Sequence, residues 1–255
     1  MKILNSQAIY VMWLRDMKRY VRSKSRIISG IVQPFFFLTF LGLGLGSSVI
    51  IDGSNGLQYI DILTPGIIEW SIIFPSVFIG VSVLFDKRFG FLQEVLVAPV
   101  SRISIIIGRS LGGVTTAMIQ GIIIMIIASI LGAQIDISIN LLLVLALMAL
   151  TSLFAIGIGL IIASKMEDIE GFQLIISVFI FPLAFLSSPF TTLDSLPDFL
   201  RAISFFNPIT YGVDGLRSVL NGASYFPLFV NFIVLIASSL FLMGLASYFF
   251  SKSEA

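Results

Sequence analysis

The sequence predicts an all-α integral membrane protein with six transmembrane helices. Three observations carry that expectation. Of the 255 residues, 57% are hydrophobic and only 11% charged, whereas a soluble domain carries about a quarter charged residues. Apolar runs recur at lengths near the roughly 20 residues that a helix needs to cross a bilayer. Basic residues collect in alternate connections, as they do in the cytoplasmic loops of membrane proteins.

The spans follow in order. Span one covers residues 27–50 and contains IVQPFFFLTFLGLGLGSSVI; span two covers 62–85, span three 104–131 and span four 141–164. Span five, 172–188, is short, and span six covers 227–250. No short apolar core followed by a small-residue cleavage site opens the chain, so span one is expected to act as the insertion signal. Lys2, Arg15, Lys18, Arg19, Arg22, Lys24 and Arg26 precede span one. Lys87, Arg88, Arg102 and Arg109 gather around the connection between spans two and three, Lys165 follows span four and Lys252 follows span six. Together these are thirteen of the fifteen Lys and Arg residues, while the connections 51–61 and 132–140 hold none. Only Arg201 and Arg217 lie between spans five and six. The alternation places both termini in the cytoplasm.

Three segments beside the spans carry pattern of their own. In residues 4–23, Leu4, Ala8, Val11, Leu14, Met17 and Val21 recur at helical spacing, with Arg15, Lys18, Arg19 and Arg22 largely off that stripe. Trp13 suits the headgroup level, and the whole reads as an amphipathic helix lying in the cytoplasmic interface. A solvated basic tail drawn to anionic lipid is the plainer alternative. The second segment is DKRFGFLQEVLVAPVSR, residues 86–102, where Leu92, Val95, Leu96 and Pro99 share one helical face and Gln93 and Glu94 point elsewhere. Gly90 loosens its entry and Pro99 ends it. The third, Ser187 to Ala223, holds two short helical patterns separated at Asn207-Pro208. Neither half is long enough to span, and a re-entrant pair is expected on the outer side, where protein or water covers the backbone.

Cys and His are both absent, which excludes disulfides, thiol catalysis and imidazole chemistry. The net charge of +1 gives no reason to expect nucleic acid. No lysine follows a glycine, so the phosphate-cradling loop of an ATPase is missing and this chain is not expected to hydrolyse ATP. Glu69 is an acid within span two, and an ionisable group inside a span is a functional candidate; its plainer reading is a hydrated or capping residue near the outer surface. Gly42, Gly44 and Gly46 in span one and Gly157 and Gly159 in span four permit close helix approach. Glu167, Asp168 and Glu170 read as a solvated turn. Asp214 and Arg217, three apart on the second outer half-helix, are placed to pair. A self-contained channel or secondary carrier would call for paired intramembrane charges or interrupted inverted repeats. A membrane-embedded enzyme would need convergent catalytic groups, and no such constellation is visible.

Residues 65–113, PGIIEWSIIFPSVFIGVSVLFDKRFGFLQEVLVAPVSRISIIIGRSLGG, closely resemble the signature region of type-2 ABC exporter permeases, above all the daunorubicin-resistance and nodulation-factor branch. EGFQLIISVFIFPLAFLSS, residues 170–188, and FNPITYGVDGLRSVL, residues 206–220, resemble two further blocks of that family in matching order. One departure is Ser188, where many members have glycine. The resemblance implies a single exporter transmembrane domain over residues 1–255, present as two copies in a multi-pass plasma-membrane complex with two cytoplasmic ATPase subunits that hold ATP and Mg. Carried over, the coupling helix that docks on the ATPase runs from Phe89 through Gly90, Phe91, Leu92, Gln93, Glu94, Val95, Leu96, Val97 and Ala98 to Pro99. The N-terminal amphipathic segment, with Trp13, Arg15, Arg19 and Arg22, resembles the family's interface helix, and residues 189–223 its outer re-entrant hairpin. Glu69, Asn207, Pro208, Tyr211, Asp214 and Arg217 become candidates for the translocation path or outer gate. The implied substrates are amphipathic drugs, lipids or lipid-linked glycans.

Overall fold

A computed structural model describes residues 5–46, 57–88, 102–135, 141–166 and 168–252, and among them every regular element is helical. Helix α1 (Ser6–Arg22) starts at Asn5, whose side chain accepts the N–H groups of Gln7 at 3.1 Å and Ala8 at 3.3 Å. Ser23 alone separates it from α2 (Lys24–Phe37), which widens into π turns over Leu38–Leu45. Span two is α3 (Tyr59–Val77) followed, after a break at Phe78, by α4 (Ile79–Arg88). Spans three and four are α5 (Arg102–Ile130) and α6 (Leu141–Lys165). Span five joins α7 (Ile169–Ile175), π turns over Ile176–Ile180 and α8 (Phe181–Leu186). Two short helices, α9 (Asp198–Ser204) and α10 (Pro208–Asn221), precede span six, α11 (Leu228–Lys252).

Among the described residues, six helical stretches are long and apolar enough to cross a membrane, matching the six expected spans with shifted ends. Span two starts at Tyr59 rather than at 62 because Asp61 caps it: the Gln58 N–H donates to Asp61 Oδ2 at 2.7 Å. Span five starts at Ile169 because Asp168 accepts the Gly171 N–H, which gives the acidic turn a capping role. Glu167 lies outside the described residues, as does the segment 89–99 expected to form the coupling helix.

Span two is the centre of the molecule, and every residue from Ile60 to Ile73 is buried. It packs against α5, α6 and α10, while α11 runs along α6 and α1 lies on α5. Where spans two and four cross, two contacts are too close for side chains. A Cβ on Gly159 of α6 would overlap the Val77 carbonyl, and one on Gly80 would overlap the Gly159 carbonyl. Spans two and four thus meet backbone to backbone, as small residues allow in membranes. Gly157 approaches α11 less tightly, with Leu242 Cβ 2.8 Å from the position a Cβ would take, whereas Gly44 borders no other helix among the described residues.

Prolines shape the interior in a second way. A proline lacks the N–H that would pair with the carbonyl four residues earlier. Pro34 releases the Gly30 carbonyl, which accepts Gln120 Nε2 of α5 at 2.5 Å. Pro65 releases the Asp61 carbonyl, which accepts Asn221 Nδ2 of α10. In a bilayer, freed backbone groups must find such partners within the protein.

The packing face of α1 differs from the expected stripe. Met12 and Tyr20 are the buried residues, and Met12 Cβ lies 2.7 Å from where Gly108 of α5 would carry a Cβ. Val11 and Val21 of the expected stripe stand exposed. The helix therefore has two apolar sides: one docks on α5, and the other, read from periodicity, remains uncovered.

Candidate functional site

Helix α10 gathers most of the outer-side candidates. Pro208 occupies its first turn, where no N–H is required. Asn207 caps it, with Oδ1 accepting the Ile209 N–H at 3.1 Å, while Nδ2 donates to the Leu183 carbonyl of α8 at 2.6 Å. Tyr211 donates its hydroxyl to the Phe205 carbonyl at 2.9 Å and stacks on Phe226 with centroids 4.9 Å apart. Asp214 is buried and accepts the N–H groups of Tyr225 at 2.7 Å and Phe226 at 3.0 Å, plus Asn231 Nδ2 at 3.1 Å. Arg217 Nη2 donates to the carbonyls of Ile62 and Ser188, each at 3.2 Å.

Asp214 and Arg217 form no ion pair within 4 Å among the described residues, so the pairing expected from their spacing is replaced by these tertiary bonds. A helical i, i+3 pair contributes only about 0.2–0.5 kcal/mol. Leaving a buried donor or acceptor unmatched costs about 1–3 kcal/mol. Burial pushes the Arg217 guanidinium down to about 10, with Asp214 opposing the shift, so the group stays charged at neutral pH. Ser188, one of its acceptors, has φ 56°. That left-handed conformation is natural for glycine.

Glu69 lies fully inside the protein rather than near a hydrated surface. Its Oε1 accepts the Thr151 hydroxyl of α6 at 3.1 Å, and Oε2 has no hydrogen-bond partner among the described residues. Gly212 of α10 closes the cluster: a Cβ there would sit 2.6 Å from Thr151 Oγ1 and 2.8 Å from Glu69 Oε1. Glu69 thus sits where spans two and four meet α10, and it is brought together with α10 but not with the polar atoms of Asp214 or Arg217.

A cavity of about 410 Å³ opens between α1, α2, span two and α5. Arg19, Arg26 and Asp16 line one part, and Trp70, Phe74 and Phe78 line another. Tyr20 and Gln120 hold its wall, the Tyr20 hydroxyl donating to Gln120 Oε1 at 3.3 Å while Gln120 grips Gly30. Trp70 is the hub of an aromatic cluster, 4.9 Å from Phe185, 5.1 Å from Phe74, 5.5 Å from Phe181 and 5.6 Å from Phe190 between ring centroids. Sequence reasoning missed this cavity, although the spacing Trp70, Phe74, Phe78 already marks one aromatic helical face. Of the four N-terminal candidates, Arg19 borders the cavity and Trp13 anchors α1 through Nε1 donating to Thr115 Oγ1 at 3.1 Å. Arg15 pairs with Asp16 at 3.5 Å, and Arg22 sits exposed in the last turn of α1.

The sequence profile described as ABC-2 type transporter matches residues 7–221. The chain is 28% identical over 232 residues to the inner membrane transport permease YadH of Escherichia coli, covering 90% of this chain and 89% of that one. It is 29% identical over 225 residues to a protein of Cyanophora paradoxa described as a transport permease, covering 86% and 76% respectively. To nodulation protein J of Rhizobium leguminosarum bv. viciae it is 25% identical over 213 residues, covering 82% and 81%.

Proposed function

This chain belongs to the ABC-2 type transporter family, and on that footing we propose that it is the membrane half of an ATP-driven exporter. Two copies assemble in the plasma membrane with two ATPase subunits, which bind ATP and Mg. Both termini face the cytoplasm. The cargo is an amphipathic drug, lipid or lipid-linked glycan. The observation that carries this reading is a multi-pass family member with no phosphate-binding loop of its own, in which α4 and α5 lead to and from the short two-faced stretch 89–101.

The mechanism follows from that connectivity. A push on residues 89–99 passes into spans two and three. The nucleotide-driven closure of the ATPases moves these helices as rigid bodies and shifts the two permease halves between inward-open and outward-open arrangements. Helix α1 lies in the cytoplasmic interface with its uncovered apolar side toward lipid. Helices α9 and α10 form the outer re-entrant hairpin, anchored by Asn207, Asp214 and Arg217.

The test is co-purification with the ATPase subunit. The Glu94→Arg, Leu96→Asp double variant is expected to insert and fold but to lose the ATPase and transport. A double variant that still binds the ATPase and exports cargo removes the coupling assignment. Transport without ATP would instead favour a channel or secondary carrier.

A further inference from the structure

The cavity beside α1 has features that the family assignment does not require. Its volume, about 410 Å³, falls within the range for one drug-sized ligand. Its chemistry is divided. Arg19 comes from the last turn of α1 and Arg26 from the first turn of α2, so the short link at Ser23 brings two guanidinium groups to one rim. Neither has a carboxylate partner within 4 Å among the described residues, and Asp16, the acid lining this cavity, is bridged by Arg15 at 3.5 Å. Arg19 and Arg26 repel each other, and Asp16, which attracts Arg26, is shared with Arg15, so positive charge stays in excess at this opening and a further anion is favoured there. A guanidinium presents donors in a fork that matches phosphate, sulfate or carboxylate.

Another part of the lining is apolar and aromatic. Trp70, Phe74, Phe78 and Phe85 of span two all face the cavity. At 1.5 Å of rise per residue they extend over about 22 Å of helix, the reach of one extended alkyl chain. The Tyr20–Gln120–Gly30 bonds fix α1, α5 and α2 around this space, so its walls are built before a ligand arrives.

We propose that this cavity binds a single-chain anionic amphiphile, with its acidic headgroup between Arg19 and Arg26 and its tail along Trp70, Phe74 and Phe78. The assignment rests on the exporter reading above and narrows its cargo class to acidic, single-chain molecules taken from the cytoplasmic leaflet. The cavity is sized for one such chain, and a polymeric glycan would not be enclosed by it.

The test uses the full-length permease in zwitterionic nanodiscs and measures binding of three probes. Lysophosphatidylglycerol is anionic with one tail, lysophosphatidylcholine is zwitterionic with the same tail, and glycerol 3-phosphate has no tail. The anionic lysolipid is expected to bind with one-to-one stoichiometry and about tenfold more tightly than the zwitterionic one, whose choline cation is repelled by the two guanidinium groups that its phosphate approaches. Arg19→Gln with Arg26→Gln is expected to abolish that preference at an unchanged thermal midpoint, since both side chains are exposed. Thr116→Phe, which fills the cavity from α5, is expected to weaken both lysolipids. Glycerol 3-phosphate is expected not to compete. Equal affinity for the two lysolipids, a preference that survives the double arginine variant, or full competition by glycerol 3-phosphate each overturns the proposal. ATPase co-purification is scored on the same samples, so equal affinity of the unsubstituted permease for the two lysolipids with the ATPase still bound refutes this site alone.

Discussion

The Gln120 contact to Gly30 can be tested by removing the reason for its existence. Gly30 needs an outside donor because Pro34 has no N–H to offer it. Gln120→Leu keeps the volume and strips both bonds, leaving the Gly30 carbonyl and the Tyr20 hydroxyl unmatched. Each unmatched buried group costs about 1–3 kcal/mol, so the loss is about 3 kcal/mol. At roughly 2–4 °C per kcal/mol for a chain of this size, the midpoint falls by about 6–12 °C. In a Pro34→Ala background the N–H restored at position 34 pairs with Gly30 within the helix. Gln120→Leu then strands only Tyr20, and its cost drops to about half, a coupling of about 1.5 kcal/mol. Thermal unfolding of the four proteins in one detergent, followed by tryptophan fluorescence, gives the cycle directly. An equal loss from Gln120→Leu in both backgrounds would refute the compensation argument.

Other outcomes follow from the same structure. Ser188→Gly removes a left-handed penalty of about 1–2 kcal/mol against a glycine entropy cost of about 0.5–1 kcal/mol, so a small rise in midpoint is expected, and Ser188→Val should lower it. Asp214→Ala strands the donors of Tyr225, Phe226 and Asn231 and should cost about 3 kcal/mol or more, read as a lower midpoint and faster proteolysis at residues 222–227. Gly159→Ala should destabilise by about 1–3 kcal/mol because its methyl group meets backbone at Val77, which cannot turn aside. Glu69→Gln keeps the acceptor for Thr151, so stability should change by no more than about 1 kcal/mol, while transport rate or substrate choice changes; unchanged transport of every substrate tested would leave Glu69 a structural residue.

The six spans were legible in the sequence because crossing a bilayer imposes a length and an apolar content that a chain cannot disguise. The glycines at 157 and 159 were legible for a related reason, since small residues in a span mark contact. Helix ends were less visible. Asp61 looked like part of a polar connection because its capping of Gln58 involves a side chain rather than periodicity. The docking face of α1 was not legible because Met12 and Tyr20 lie beside the most regular apolar stripe, and only the presence of α5 shows which side is covered. Asp214 and Arg217 show the same limit. Their spacing favoured a local pair, but stranded N–H groups near residue 225 and stranded carbonyls at Ile62 and Ser188 set the larger free energies. The cavity needed four helices in place, and no single stretch of sequence contains it.

The backbone contact at Gly80 and Gly159 limits how this molecule can move. Two helices separated by side chains can each roll about their own axes, since rotamers give way. Here there is no such clearance at the crossing. Any roll of span two would drive a larger neighbour, Val77 or Ile79, into α6, so the two spans turn together or not at all. The one interruption along span two, at Phe78, lies at that same crossing. Bending is therefore concentrated where rolling is forbidden. A torque applied below the crossing reaches the upper half of the span as tilt rather than as twist.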